Sequence, residues 1–272
     1  MRFARTRAAA ATLLTSAIAL TCGGSGAAVA AVPAAVVYTM RTVERHGPGC
    51  SRGAPACPVY IRFHYPLIGH APSAPVTGAI NRAINDFLLA GVGEPKKFGS
   101  VAAEMAAFVR KAADYTAAYP GPGYSEDRIV SVVYQAGGIF SLQFDLSWFL
   151  GGAHPNYTRT FANFDVRTGR QIRLADVLVA RYQSRLTQRA EAHFRKNKGL
   201  TPTDSLTQAG YTFPNNTFTL NDNFSIGPKG VTFFYNPYEV ASYADGPTEL
   251  LLAYPEIKDL LRPDGLLAQM RK

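Results

Sequence analysis

The clearest alternation of apolar and polar side chains runs from Phe140 to Leu150, where Phe140, Leu142, Phe144, Leu146, Trp148 and Leu150 stand against Ser141, Gln143, Asp145 and Ser147. A period of two over that length predicts a strand with one buried and one wet face. With the runs on either side it predicts an antiparallel meander of residues 129 to 135, 139 to 149 and 157 to 166. Upstream, Val36 to Val43 and Val59 to Tyr65 predict two strands joined as a hairpin, the second setting Tyr60, Arg62 and His64 against Val59, Ile61 and Phe63. The period then becomes helical. Ile80, Ile84, Phe87 and Leu88 mark a helix stopped by Gly91, and Val101, Met105, Phe108, Val109 and Ala112 mark a second, broken by Tyr119-Pro120-Gly121-Pro122-Gly123.

A third helix is predicted from the inward positions Val177, Leu178, Tyr182, Leu186, Ala190 and Phe194. Residues 199 to 216 are turn-rich; strands are expected at 224 to 226, 231 to 235 and 249 to 253, then a short helix from Glu256 to Leu261. The expected fold is α+β, with antiparallel sheets packed against three main helices.

Composition changes the picture mainly at the N-terminus. Of 272 residues, 47% are hydrophobic and 17% charged, enough apolar material for one large or two small domains. Arg2, Arg5 and Arg7 precede an apolar run from Ala8 to Leu20 and small residues ending Ala28-Val29-Ala30-Ala31, the order of a secretory signal peptide cleaved after Ala30. The run is short against the ~20 apolar residues of a spanning helix, so no transmembrane helix is expected after cleavage. The expected organisation is signal 1–30, an N-terminal subdomain 31–125 and a C-terminal subdomain 126–272, exported to the periplasm or secreted.

Export gives the cysteines a meaning. Cys50 and Cys57 are the pair left in the mature chain, and a disulfide clipping the hairpin loop is their simplest reading, worth about 2–3 kcal/mol for so short a loop. A metal site there would have to recruit His46 or His64. Loss of the three signal arginines lowers the formal charge from +9 to +6, which favours anionic envelope surfaces over nucleic acid as partners.

Candidate chemistry is sparse. His154, in the bend Gly151-Gly152-Ala153-His154-Pro155-Asn156-Tyr157, is the best single base or ligand, with Asp145 or Asp165 as partner in a hydrolase reading. The five histidines lack H-E-x-x-H spacing and no serine sits in a G-x-S-x-G elbow, so no enzyme, metal or cofactor is expected. The loop Asn236-Pro237-Tyr238-Glu239, with Tyr243 nearby, offers a fixed backbone and large amphipathic rings, as a protein-binding hot spot does. Arg181, Arg185 and Arg189, four apart and followed by Arg195, Lys196 and Lys198, offer an anion-binding stripe.

Two segments carry a family resemblance. The first runs from Gly151-Gly152-Ala153-His154-Pro155-Asn156 through Asn163-Phe164-Asp165 and Thr168-Gly169 to Leu174-Ala175-Asp176-Val177-Leu178. The second comprises Gly230 to Ala241, Gly246-Pro247, Leu250 and Tyr254-Pro255-Glu256-Ile257, with a weaker match at Tyr65 to Gly69 and Ile80 to Asn85. Together they resemble the RsiV-type bacterial envelope domains, which carry a domain of unknown function in their C-terminal half, and are similar to a secreted mycobacterial immunogenic antigen. The family includes the lysozyme-sensing ectodomain of an anti-sigma factor, so the resemblance implies binding in the envelope more than catalysis. The pattern is also similar to the non-catalytic N-terminal part of a peptidoglycan deacetylase. Seven residues before the apolar run leave no cytoplasmic segment for a sigma factor, and an end at Lys272 leaves no room for a deacetylase domain, so the exported module alone is expected. Common animal lysozymes are basic, and a domain at +6 needs a locally acidic contact face, for which Glu239, Asp245 and Glu249 are candidates.

Overall fold

The computed structural model describes residues 35–47, 59–118 and 123–271. The expected signal peptide, and Cys50 and Cys57 with their expected disulfide or metal alternative, lie outside the described residues. The hairpin forms: β1 (Val37–His46) runs antiparallel to β2 (Val59–His70), with Val43 opposite Phe63. Helices α1 (Ala74–Leu88) and α2 (Val101–Ala118) follow, α1 burying Val76, Ile80, Ile84 and Leu88 at helical spacing.

The chain returns as β3 (Tyr124–Ala136), which lies parallel to β2, and continues antiparallel into β4 (Ile139–Phe149) and β5 (Asn156–Asp165). The expected hairpin and meander are therefore one five-stranded sheet in sequential order, joined by a single parallel pair across residue 125. A parallel joint needs a long crossover, and the two helices supply it. Strand β4 keeps its alternation only in part. Ile139, Phe140, Ser141 and Leu142 are all buried, because the start of this strand is covered on both faces, and burial fades towards exposed Leu150.

The expected third helix is two. α3 (Leu174–Val177) stops after one turn and α4 (Gln183–Asn197) begins after an extended link. In that link the Val179 amide donates to the Leu260 carbonyl (2.8 Å) and Leu178 bridges Leu261, while Arg181 adopts φ +59°. Tertiary hydrogen bonds thus replace helical ones where the apolar spacing alone predicts continuity.

A second antiparallel sheet of β6 (Phe224–Ile226), β7 (Gly230–Tyr235) and β8 (Thr248–Ala253) precedes α5 (Tyr254–Ile257). The expected helix to Leu261 is cut short because residues 260 to 262 pair with the link. Among the described residues the fold is α+β with two mostly antiparallel sheets and five α-helices, three of them long. One core lies between the first sheet and α1–α2, centred on Phe63, Ile80, Phe140 and Leu142; the other gathers α4, the small sheet and the C-terminal segment around Phe194, Phe233 and Leu252.

Candidate functional site

Among the described residues, no strand neighbours the outer edge of β5 in its sheet. An edge left so offers unpaired peptide groups. Side-chain amides fill it. The Asn236 Oδ1 accepts from the Arg159 backbone N–H (2.6 Å) and its Nδ2 donates to the Arg159 carbonyl (3.1 Å). Asn223 adds bonds to the Arg159 carbonyl and the Phe161 amide, and Asn163 holds the Phe224 carbonyl and the Ile226 amide of β6. These asparagines bind the small sheet to the large one.

Asn236 also opens a tight turn closed by the Glu239 amide on the Asn236 carbonyl (3.1 Å). The Glu239 carboxylate accepts from the Asn236 amide (2.8 Å) and the Asn221 Nδ2 (2.7 Å). Pro237 takes the second position and Tyr238 the third at φ +66°, a conformation that glycine normally fills. The turn therefore lifts a tyrosine into solvent, 62% exposed.

Three rings meet there. The Tyr243 ring stacks on His154 at 3.9 Å between centroids, inclined by 18°, and lies 5.6 Å from Tyr238. The Tyr238 hydroxyl is 3.3 Å from His154 Nε2, the Tyr243 hydroxyl donates to the Pro155 carbonyl (2.8 Å), and His154 Nδ1 reaches the same carbonyl (2.8 Å). Beside them, burial and the neighbouring Tyr243 push the Tyr157 hydroxyl above its ordinary pKa. The result is an aromatic platform whose polar atoms are already mutually engaged.

Of the predicted binding residues, Tyr238 and Tyr243 share this platform, whereas Asn236 and Glu239 are spent on the turn and the sheet edge. His154, expected as a base, joins the platform. Neither carboxylate assigned to it is its hydrogen-bond partner. Asp145 is held by Arg159 (2.7 Å) and Gln143 (2.6 Å), and Asp165 lies at the far end of β5 under Arg167, whose hydrogen bonds hold its carboxyl below the usual range despite its burial. Sequence reasoning passed over Asn163, Asn221 and Asn223 as binding chemistry; asparagine in or beside strands, where it is depleted, was the available signal.

The arginine stripe is also reshaped. Arg181 stands in the link, off the helix, and Arg185 and Arg189 both converge on Asp259, at 3.3 and 2.7 Å. Hydrogen bonding from Arg189 holds the Asp259 carboxyl below its ordinary value. Asp245 accepts from the Ser242 hydroxyl (2.6 Å), and Glu249 is exposed on β8.

Residues 175–254, from α3 to the end of β8 and including Asn236, Tyr238 and Tyr243, match the family described as a protein of unknown function, DUF3298. No curated protein matches the chain. A crystal structure of a DUF3298 family protein from Pseudomonas aeruginosa PAO1 is similar at TM-score 0.65 and 22% identity, over 84% of this chain and 95% of that one. A DUF3298 family member from Bacteroides fragilis NCTC 9343 is similar at TM-score 0.66 and 21% identity, over 87% and 98%. Residues 175–254 thus match the DUF3298 family, and the chain shares its fold with these DUF3298 family proteins.

Proposed function

We propose that the chain is an exported, non-catalytic binding module of the bacterial envelope, of RsiV type, that engages a protein partner, lysozyme-like or resident in the envelope, through Tyr238 and the rings beside it. The observation that carries this reading is the exposed tyrosine held at positive φ by a turn whose Asn236 and Glu239 side chains are both engaged. A strained backbone that presents a side chain to solvent stabilises nothing in the free domain, and such strain gathers at binding sites. Tyrosine gives large contact area at small entropy cost. The acidic groups Glu239 and Asp245 on the same loops suit a basic partner.

The two other readings have less beneath them. Adhesion to anionic lipid or cell-wall polymer through Arg181, Arg185 and Arg189 must draw on guanidinium groups of which two already face Asp259. A hydrolase built on His154 lacks a hydrogen-bonded carboxylate to orient the ring.

Surface plasmon resonance of residues 31–272 against a basic animal lysozyme, with soluble peptidoglycan as second analyte, tests the proposal. Lysozyme should bind and Tyr238→Ala should weaken it about 30-fold or more, the effect of a hot-spot tyrosine. Binding of peptidoglycan alone, lost on replacing the three arginines, would transfer the function to the polymer reading. Equal lysozyme affinity in parent and variant would end the platform assignment.

A further inference from the structure

Strand β3 begins five residues before its apolar run, and the added residues include a buried charge cluster. Tyr124, Glu126 and Arg128 alternate onto one face of the strand. Arg128 is 1% and Glu126 0% exposed. The Arg128 Nε donates to Glu126 Oε1 (2.6 Å), and its other nitrogens donate to the Phe87 and Ala90 carbonyls at the C-terminal end of α1, a favoured place for a cation. Glu104 of α2, 2% exposed, faces the same guanidinium at 3.6 Å.

Two buried carboxylates thus share one guanidinium. Glu104 Oε2 and Glu126 Oε2 have no hydrogen-bond partner among the described residues. A buried carboxylate oxygen left so is costly, and one guanidinium balances one of two such groups, so the other holds a proton until a second cation takes its place.

A cavity of about 280 Å³ opens beside them, and Glu126 forms part of its wall. Phe108, Ala112 and Tyr115 of α2 lie along one side and Tyr124 along the other, with Phe98 closing from the connector. At the surface end stand Tyr115 (48% exposed) and Leu150 (42% exposed), with the Tyr115 and Tyr124 rings 6.0 Å apart. The flanking Lys111 is already paired with Glu94 at 3.0 Å. The walls are therefore apolar and aromatic, and the acceptor left open beside them is the Glu126 carboxylate.

We propose that this cavity is a binding site for a small monocation, a primary ammonium on an apolar body of about the size of a phenylethyl group, with the ammonium donating to the free oxygen of Glu126 and the body lying along Phe108 and the two tyrosines. The cation takes the place of the proton that the second carboxyl of the cluster holds, so both carboxylates are then balanced, one by Arg128 and one by the ammonium. It also gives a hydrogen-bond donor to an atom that has none, while the rings shield it from water. A neutral body of the same shape gains only the apolar contacts, and an anion meets the Glu126 carboxylate. The site is separate from the Tyr238 platform and does not depend on it.

Isothermal titration of the full chain with 2-phenylethylammonium, and with 2-phenylethanol as its neutral counterpart, decides the matter. The ammonium should bind at one site and at least about 10-fold more tightly than the alcohol, since charge-assisted hydrogen bonds are the stronger class. Glu126→Gln should erase that preference and leave the alcohol unaffected; Glu104 remains to balance Arg128, so the variant should fold. Tyr115→Ala, at an exposed position where folding is not at stake, should weaken the ammonium about 5-fold through the lost ring face. Absence of saturable binding, equal affinity for the two probes, or an undiminished preference in Glu126→Gln would overturn the proposal. Should Glu126→Gln melt early, unchanged ammonium affinity in Tyr115→Ala would overturn it equally.

Discussion

At the scale of single residues, Tyr238 separates stability from binding. Its φ of +66° is a position where glycine is at ease and a bulky side chain is not. Its ring contacts are solvent-exposed and contribute little to holding the fold. Tyr238→Gly should therefore leave the domain as stable as the parent or more stable by up to about 1 kcal/mol. Tyr238→Ala keeps the strained backbone and should gain nothing. Urea melts of the three proteins test this, and a glycine variant clearly less stable than alanine would mean that the ring packs as a structural residue. Both Tyr238 and His154 stand out in the sequence, each beside turn residues and each with a polar tip. Their meeting does not, because it joins positions 84 apart through the asparagines on the edge of β5.

At the scale of elements, those asparagines take the place of a sixth strand. Asn236 satisfies both backbone groups of Arg159, and Asn223 reaches the next amide that faces outward, at Phe161. Truncation strands peptide groups at a packed junction, so Asn236→Ala and Asn223→Ala should each cost about 1–3 kcal/mol in chemical denaturation. A loss below about 0.5 kcal/mol would show that water replaces the amides without penalty. The sequence displayed most strands and the two long crossover helices, since each carries its own apolar period. It did not display the parallel joint of β2 with β3. Pairing partners are set by the crossover, and the buried Glu126 and Arg128 interrupt the apolar run that would have extended β3 to Tyr124. The break between α3 and α4 was hidden for the opposite reason. Leu178 and Tyr182 keep helical spacing, but the Val179 amide between them is claimed by the Leu260 carbonyl and the Val177 carbonyl by the Arg262 amide, some eighty residues on.

For the whole molecule, the buried cluster ties stability to pH. Burial, and then the Glu126 charge, raise the Glu104 carboxyl from its ordinary 4.5 to about 8, against the opposing pull of Arg128. The groups that face it are Glu126 and Arg128 on β3 and, more weakly, Glu94 from the connector. Burial raises Glu126 as well. A carboxyl raised in the folded state holds its proton where the unfolded chain has released it. Its contribution is thus complete below about pH 4.5 and falls away as pH climbs towards 8, after which folded and unfolded chains bind the same number of protons. Glu104→Gln removes this proton exchange while keeping the shape of the side chain. Relative to that variant, the parent should lose stability steadily between about pH 5 and 8 and run parallel to it at higher pH, when both are followed by urea denaturation. Taking the difference cancels the histidines and the other groups the two proteins share. Parallel curves across the whole range would mean that Glu104 is ionised in the folded state at neutral pH, with its charge carried by Arg128. A parent that gains on the variant as pH rises would reverse the sign and assign Glu104 the lowered pKa of an ordinary ion-paired carboxylate.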